Sequence, residues 1–342
     1  MPIPASANYN PPRINRYVPG MKYDANVGAD GLTRMYFGAL TNASNTAVQS
    51  AIQMVNGSAV TVNYGPTSGI VGGAGAPFGR VLRFVASSTN TRAVTVEAVD
   101  YLGQPYVETV TLTSATAVFS KKAAYKVNKL TFASASDTTT VDVGTGNRFG
   151  VPYALAKGAL ELIDGVGQSL NSDPVQIPWE LEQTQLLAPT NEVLVSPVRG
   201  YITKLSSVVQ AAVTTGGDIT VLSGATTVTG LTTTIADGAT AGTVVTDTPT
   251  DPYGSTGLVA VGGAISIAPA SAFATAGEVN GIVEVTPVGL IPRTNTQSLT
   301  AYDPRGLYEP TATPDGTKIF ELTAHVDINN TNGFHGTAHV VS

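Results

Sequence analysis

From Arg34 to about Leu170, short runs of β-favouring residues alternate with turn signals every 8–12 residues or so, the spacing of a sandwich or barrel. The best strand candidates are residues 35–40, 59–64, 80–86, 93–99, 106–112, 129–133 and 139–143. The clearest hairpin runs from 93–100 through a turn holding Gly103 to 105–112. Val94, Val96 and Ala98 alternate on one arm, Val107, Thr109 and Thr111 on the other. Asn56-Gly57 and Asp164-Gly165 have the composition of two-residue hairpin turns, and the latter favours a strand over a helix for 155–163. A second β-region is expected over 193–288, with strands at 201–213, 218–222, 226–235, 243–247, 264–267 and 281–286. A last pair, 318–328 and 334–341, is joined by Asn332-Gly333. No amphipathic helices of 10–15 residues alternate with these strands, which excludes a parallel α/β sheet.

The expected architecture is therefore all-β. It has two antiparallel β-sandwich or jelly-roll-like domains, an extended N-terminal arm and a C-terminal β-hairpin. Residues 1–33 form the arm and 34–172 the first domain. Residues 173–192, with the only tryptophan, Trp179, and a helical turn expected at Pro178, read as a linker. Residues 193–288 form the second domain, and 289–342 a segment whose hairpin packs on a β domain. The arm holds Pro2, Pro4, Pro11, Pro12 and Pro19, which exclude a helix or a central strand. Tyr9, Arg13, Arg16 and Tyr17 are interleaved with them and are the expected anchors on a capsid or neighbouring subunit, within an element spanning 2–23.

Charged residues make up 12% of the chain, against roughly 25% in an average soluble protein. A surface of Thr, Ser, Asn and Gly suits pleated sheets, and few charges need desolvation on assembly. The formal net charge of −6, without a basic run, argues against a nucleic-acid partner. Lys121-Lys122 reads as a solvated strand end. Without cysteine there is neither a disulfide framework nor a thiolate metal site. Met1-Pro2-Ile3-Pro4 lacks the features of a secretory signal, so the Asn42, Asn56 and Asn329 sequons are expected to be chance. Residues 252–277 are uncharged but alternate like a strand and hold Pro269, so no membrane partner is expected.

Chemistry-bearing motifs fail on spacing. In Gly144-Thr145-Gly146-Asn147-Arg148-Phe149-Gly150 the third glycine comes one position late, and Val151-Pro152 follows instead of a helix N-terminus; a structural turn is expected. Gly72-Gly73-Ala74-Gly75 precedes Pro77 and a strand, and reads as a flexible loop. His335 and His339 lie on a strand, roughly 13 Å apart at about 3.3 Å per residue, too far for one metal. They and His325 read as surface or interface residues. Glu97 and Glu108, facing across the hairpin, read as solvated carboxylates rather than an acid–base pair. Asp247, Asp251 and Asp303 suit turns in which Asp bonds its own backbone. No catalytic, cofactor or metal residues are expected, and the chain reads as non-enzymatic.

Three segments resemble tailed-bacteriophage virion proteins. Residues 93–112, with Asp100, Gly103 and Glu108, resemble a hairpin of phage head-associated proteins. A strand bearing Lys122, Tyr125 and Val127, then Val143-Gly144-Thr145-Gly146 with Phe149-Gly150-Val151-Pro152, follow in the family's order. Gly217-Asp218-Ile219-Thr220-Val221 through Ile265-Ser266-Ile267 to Gly277 is similar to the small β-sandwich of capsid decoration proteins. Asp303-Pro304-Arg305-Gly306-Leu307-Tyr308-Glu309-Pro310, then Pro314-Asp315-Gly316, resembles a C-terminal signature of the same proteins, with Leu307 where others often carry Thr or a longer polar residue. The likeness spans most of 80–342 and rests on turn motifs. It implies a head decoration (cement) protein, typically trimeric, on the outer surface of the virion, bound to the major capsid protein and made in the host cytoplasm. Residue by residue, it implies turn formers (glycines for positive φ and Asp for local caps), with Arg305 making a bidentate bond to a carboxylate or backbone carbonyls. The competing readings are a head-fibre or tail-associated receptor- or glycan-binding protein, and a glycan depolymerase, for which no carboxylate pair stands out.

Overall fold

The computed structural model describes residues 32–88, 91–113, 115–153, 155–170, 173–273, 277–291 and 301–326. The arm residues Tyr9, Arg13, Arg16 and Tyr17, the turn at Asn332-Gly333, and His335 and His339 lie outside them. Within them the chain is all-β: every paired strand is antiparallel, beside one five-residue α-helix and one 3-10 turn. It divides into two compact units, Met1–Asn171 with Gly289–Ser342, and Ser172–Val288.

The first unit holds three sheets. One orders β1 (Leu32–Ala39), β23 (Ile319–Val326), β10 (Leu155–Ile163) and β11 (Val166–Leu170). β10 and β11 are the hairpin expected at Asp164-Gly165, whose φ angles are 51° and 80°. The second orders β21 (Leu290–Ile291), β22 (Leu307–Tyr308), β9 (Thr140–Gly150), β4 (Arg80–Ala86) and β7 (Val118–Ala124), with β2 (Ser44–Gln53) also on β9. The third orders β3 (Val60–Asn63), β8 (Lys126–Phe132), β5 (Ala93–Val99) and β6 (Pro105–Thr111). Alternation along β5 buries Val94, Val96 and Ala98 against Leu82, Phe84, Leu130, Phe132, Val141 and Val143 from the second and third sheets. A further core gathers Met35, Phe37, Phe149, Tyr308, Phe320 and Leu322.

The second unit is a two-sheet sandwich. One sheet orders β12 (Val175–Leu181), β20 (Val279–Pro287), β14 (Gly200–Val209) and β17 (Val244–Asp247), with β18 (Leu258–Val259) also on β14. The other orders β13 (Glu192–Val195), β19 (Ala264–Pro269), β15 (Gly217–Ser223) and β16 (Thr226–Ile235). Ile202, Leu205, Ile219, Val221, Leu231, Ile265, Val283 and Val285 fill its centre. The helix α1 (Gln183–Leu187) adds Leu186 to that core, its first turn fixed by the Glu182 N–H donating to Gln185 Oε1 at 2.9 Å.

Several local expectations change. Residues 173–192 are not merely connecting chain but supply β12, α1 and the start of β13. Pro178 begins no helical turn; it sits within β12, at the edge of its sheet, where a missing N–H is tolerated. Asn56-Gly57 closes no hairpin, because β2 pairs with β9 and β3 with β8, so the chain crosses between sheets there. Only Gly57 of the two has positive φ. The Gly144–Gly150 stretch is no turn but the second half of β9. Its glycines make room: a Cβ on Gly144 would lie 1.8 Å from Ser44 O, and one on Gly146 would lie 2.8 Å from Val81 and 2.9 Å from Phe119.

Candidate functional site

The two turn signatures of the first unit, some two hundred residues apart, meet in one buried charge network. After β5, the Asp100 carboxylate caps its own turn, its Oδ1 accepting the N–H groups of Leu102 and Gln104, each at 2.9 Å. Gly103, at φ 83°, closes that turn. Asp303 repeats the device: its Oδ1 accepts the Arg305 N–H at 3.0 Å, and Gly306 follows at φ 86°. The Arg305 guanidinium then spans the two turns, with Nη1 2.9 Å from Asp100 Oδ2 and Nε 3.9 Å from Asp303 Oδ1. It lies over the Tyr101 ring at 5.2 Å. Asp303 also ties down β7, accepting the Ala123 N–H at 3.2 Å and donating its own N–H to Lys121 O at 3.0 Å.

Glu108 continues the network. Register sets it opposite Val96 on the inner face, whereas Glu97 faces Val107 on the outer face and bonds Lys129 at 2.6 Å. The two glutamates therefore do not face one another, and Glu108 is not solvated: it is 1% exposed. Its carboxylate accepts the backbone N–H of Lys121 and, at 3.2 Å, that of Lys122. Lys121-Lys122 is accordingly no solvated strand end but the middle of β7. The Lys121 ammonium lies 5.1 Å from the Tyr302 ring centre, the Lys122 ammonium 5.7 Å from that of Tyr106. Further along the C-terminal segment, Glu309 pairs with Arg148 at 3.0 Å, and Tyr308 donates its hydroxyl to Glu161.

Burial sets the electrostatics. It pushes Glu108 up to about 8, against the opposing pull of the Lys121 and Lys122 N–H groups and their ammoniums. Burial raises Asp303 as well, although Arg305 and two backbone N–H groups oppose it. Asp303 and Asp100 keep Arg305 firmly charged despite its burial. The oxygens of these carboxylates are occupied by backbone N–H groups and guanidinium, so the network is built to hold chain segments together. Among the described residues no group of three or more His, Cys, Asp or Glu could hold a metal ion.

The remaining sequence candidates are scattered. Asp251 bonds its own backbone as expected, accepting the Tyr253 N–H at 3.2 Å, while Asp247 accepts the Thr232 N–H at 2.7 Å from a neighbouring strand. His325 is exposed on β23. Spacing alone could not reveal the network, because Glu108 and Asp303 look like ordinary surface carboxylates until the register buries them.

Fold and network together define an all-β protein whose charged signature residues serve its architecture. No protein-family model and no curated protein matches the chain. Among solved structures it is similar to the PBSX exported protein XepA, at 10% identity and a TM-score of 0.21, over 77% of this chain and 89% of that one. It is also similar to the major capsid protein P2 of bacteriophage PM2, at 10% identity and a TM-score of 0.18, over 75% and 97%. A third is PBCV-1 VP54, fitted into a reconstruction of the virophage Sputnik, at 8% identity and a TM-score of 0.18, over 89% and 94%. At such scores these likenesses carry no argument for this chain.

Proposed function

We propose that the chain is a virion structural protein without catalytic activity. It decorates and stabilises a bacteriophage capsid by binding across neighbouring major capsid protein subunits, as a homotrimer on the outer surface. One observation carries this reading. The residues that give the chain its resemblance to phage head proteins, Asp100, Gly103, Glu108, Asp303 and Arg305, are spent on internal fastening rather than arrayed around a cleft. The low charge supports it, since a surface of short neutral side chains is cheap to desolvate against a shell. Decoration then works by area and multivalency, several weak contacts adding through effective concentration. A glycan-binding role calls for an exposed aromatic cluster, whereas Trp179 is buried and Tyr36 is the one large aromatic side chain strongly exposed among the described residues.

The test is co-sedimentation of the full chain with expanded empty capsids of the phage. Stoichiometric, saturable co-sedimentation is expected, and soluble protein that binds only host cell envelopes would overturn the reading. Removing residues 1–23, with Tyr9, Arg13, Arg16 and Tyr17, is expected to weaken capsid binding at least tenfold; unchanged binding removes the arm from the interface.

A further inference from the structure

Four arginines are buried among the described residues, and three of them face a carboxylate. Arg92 pairs with Asp137 at 2.9 Å and donates to the carbonyls of Val55, Ser58, Ala133, Ala135 and Asp137. Arg148 has Glu309, and Arg305 has Asp100. Arg80, 2% exposed, has none within ion-pair distance among the described residues. Its Nε donates to Gly146 O, its Nη1 to Thr41 Oγ1 at 2.9 Å and its Nη2 to Asn147 Oδ1 at 2.9 Å. The guanidinium stacks over Phe149 at 4.7 Å. All three acceptors are neutral, and of the five N–H groups of a guanidinium one remains on each Nη. Burial lowers its pKa to about 10, so it stays charged at neutral pH.

Arg80 lines a cavity of about 240 Å³, together with Thr41, Val48, Thr145 and the glycine-rich loop at 72–76. That loop is not a slack connection. Gly73 and Ala76 exchange backbone hydrogen bonds at 3.1 and 3.0 Å, with Gly73 at φ 137° and Gly75 at φ 104°. A Cβ on Gly72 would fall 2.1 Å from the Tyr125 ring. The glycines let the backbone fold tightly along the cavity wall without adding side chains to it. Among the described residues Arg80 is the only cationic residue in the lining, and no anionic residue joins it.

We propose that this cavity is a carboxylate-binding site in which the two remaining Nη hydrogens of Arg80 take the two oxygens of one carboxylate. The ligand is a small free carboxylate or the side chain of Asp or Glu on a partner polypeptide. A single guanidinium matches a monoanion in charge and fork geometry, whereas a phosphate dianion would bring a second charge with no cation to meet it. The inference stands independently of the capsid reading.

The test is a titration of the ¹⁵N-labelled full chain with sodium acetate against sodium chloride at constant ionic strength, followed by the Arg80 Nε–H signal and the amides of Gly72, Gly73 and Gly75. Saturable shifts at millimolar acetate, absent with chloride, are expected. No shift, or equal shifts with chloride (an adventitious ion only), overturns the proposal. Arg80→Gln is expected to abolish the response. Because Arg80 also holds Gly146 and Asn147, Ala47→Trp provides a second variant: Ala47 is exposed on β2 at the cavity, away from the Arg80 hydrogen bonds. It is expected to weaken acetate at least tenfold with the melting temperature unchanged, and undiminished shifts would overturn the assignment. A capped Gly-Glu-Gly peptide that displaces acetate, where Gly-Gln-Gly does not, assigns the site to protein side chains. Acetate binding without peptide binding assigns it to free small carboxylates.

Discussion

Arg305 is the cation shared by two carboxylates whose other bonds go to backbone N–H groups. Replacing it by Met keeps much of its volume but leaves Asp100 and Asp303 facing each other without a cation. Breaking a buried pair from one side costs about 3–5 kcal/mol. Arg305→Met is therefore expected to lose that much in urea unfolding, and adding Asp100→Asn should recover part of it. Glu108 gives a second, pH-dependent outcome. Its folded value of about 8 lies above the ordinary 4.5, so between these values the folded protein keeps a proton that the unfolded chain has lost. Stability from this group is complete below the ordinary value and falls as pH rises towards 8. Melting temperature should decline between pH 5 and pH 8.5, and Glu108→Gln should flatten the decline. The resemblance implies turn formers at Asp100, Gly103 and Asp303, and each is one, whereas Arg305, implied to bond one acceptor group bidentately, reaches two different carboxylates instead. The sequence does not disclose that the turns meet, because that depends on a contact spanning some two hundred residues, nor that register turns Glu108 inward while Glu97 points out.

At the level of elements, what could be read from residues was what had period two. β5 alternates apolar and polar and lies where expected. β2 carries no such signal, because the irregular burial along Ser44–Gln53 leaves no alternation, its register to β9 slipping twice. In β7, Lys121-Lys122 looks like a solvated strand end because it breaks the apolar face, yet the pair lies mid-strand and is covered by tyrosine rings. β9 shows the opposite failure, in which glycines that suggest a turn instead let another strand lie close. Gly144→Ala tests this: its methyl group would sit 1.8 Å from the Ser44 carbonyl, a backbone atom that cannot rotate away, so β2 must shift. Overpacking of this kind costs about 1–3 kcal/mol, and hydrogen exchange should accelerate in β2 and at its β9 contacts, with β5 and β6 little affected. Gly103→Ala is the contrast. A Cβ there meets open space, so its cost is the positive φ alone, about 1–2 kcal/mol, with no exchange change in β2.

For the whole molecule, the decisive fact is that the chain leaves the first unit near Asn171 and returns to it at Gly289. The two crossing points are neighbours: a Cβ on Gly289 would lie 3.2–3.4 Å from the Leu170 side chain. The returning segment is no appendage, because β23 lies between β1 and β10, and β22 pairs with β9. This return could not be read from sequence, since strand-type patterns carry no address for their partners. The second unit meanwhile encloses its own core from Trp179 to Val285 and, among the described residues, shares no sheet with the first. Two expectations follow from that separation. Residues 173–288 expressed alone should unfold in one cooperative transition, as a domain with a complete core does. Replacing 172–288 by a short Gly-Ser link should leave a folded first unit, because loop closure over so small a gap costs little. Cutting the chain after 171 instead should leave no cooperative transition, since it removes β21, β22 and β23 together with Arg305 and Glu309. Circular dichroism melts of the three shortened chains decide the matter: a folded 1–171 fragment would show that the returning strands merely decorate a finished domain, and an unfolded linked chain would show that the first unit depends on the inserted one.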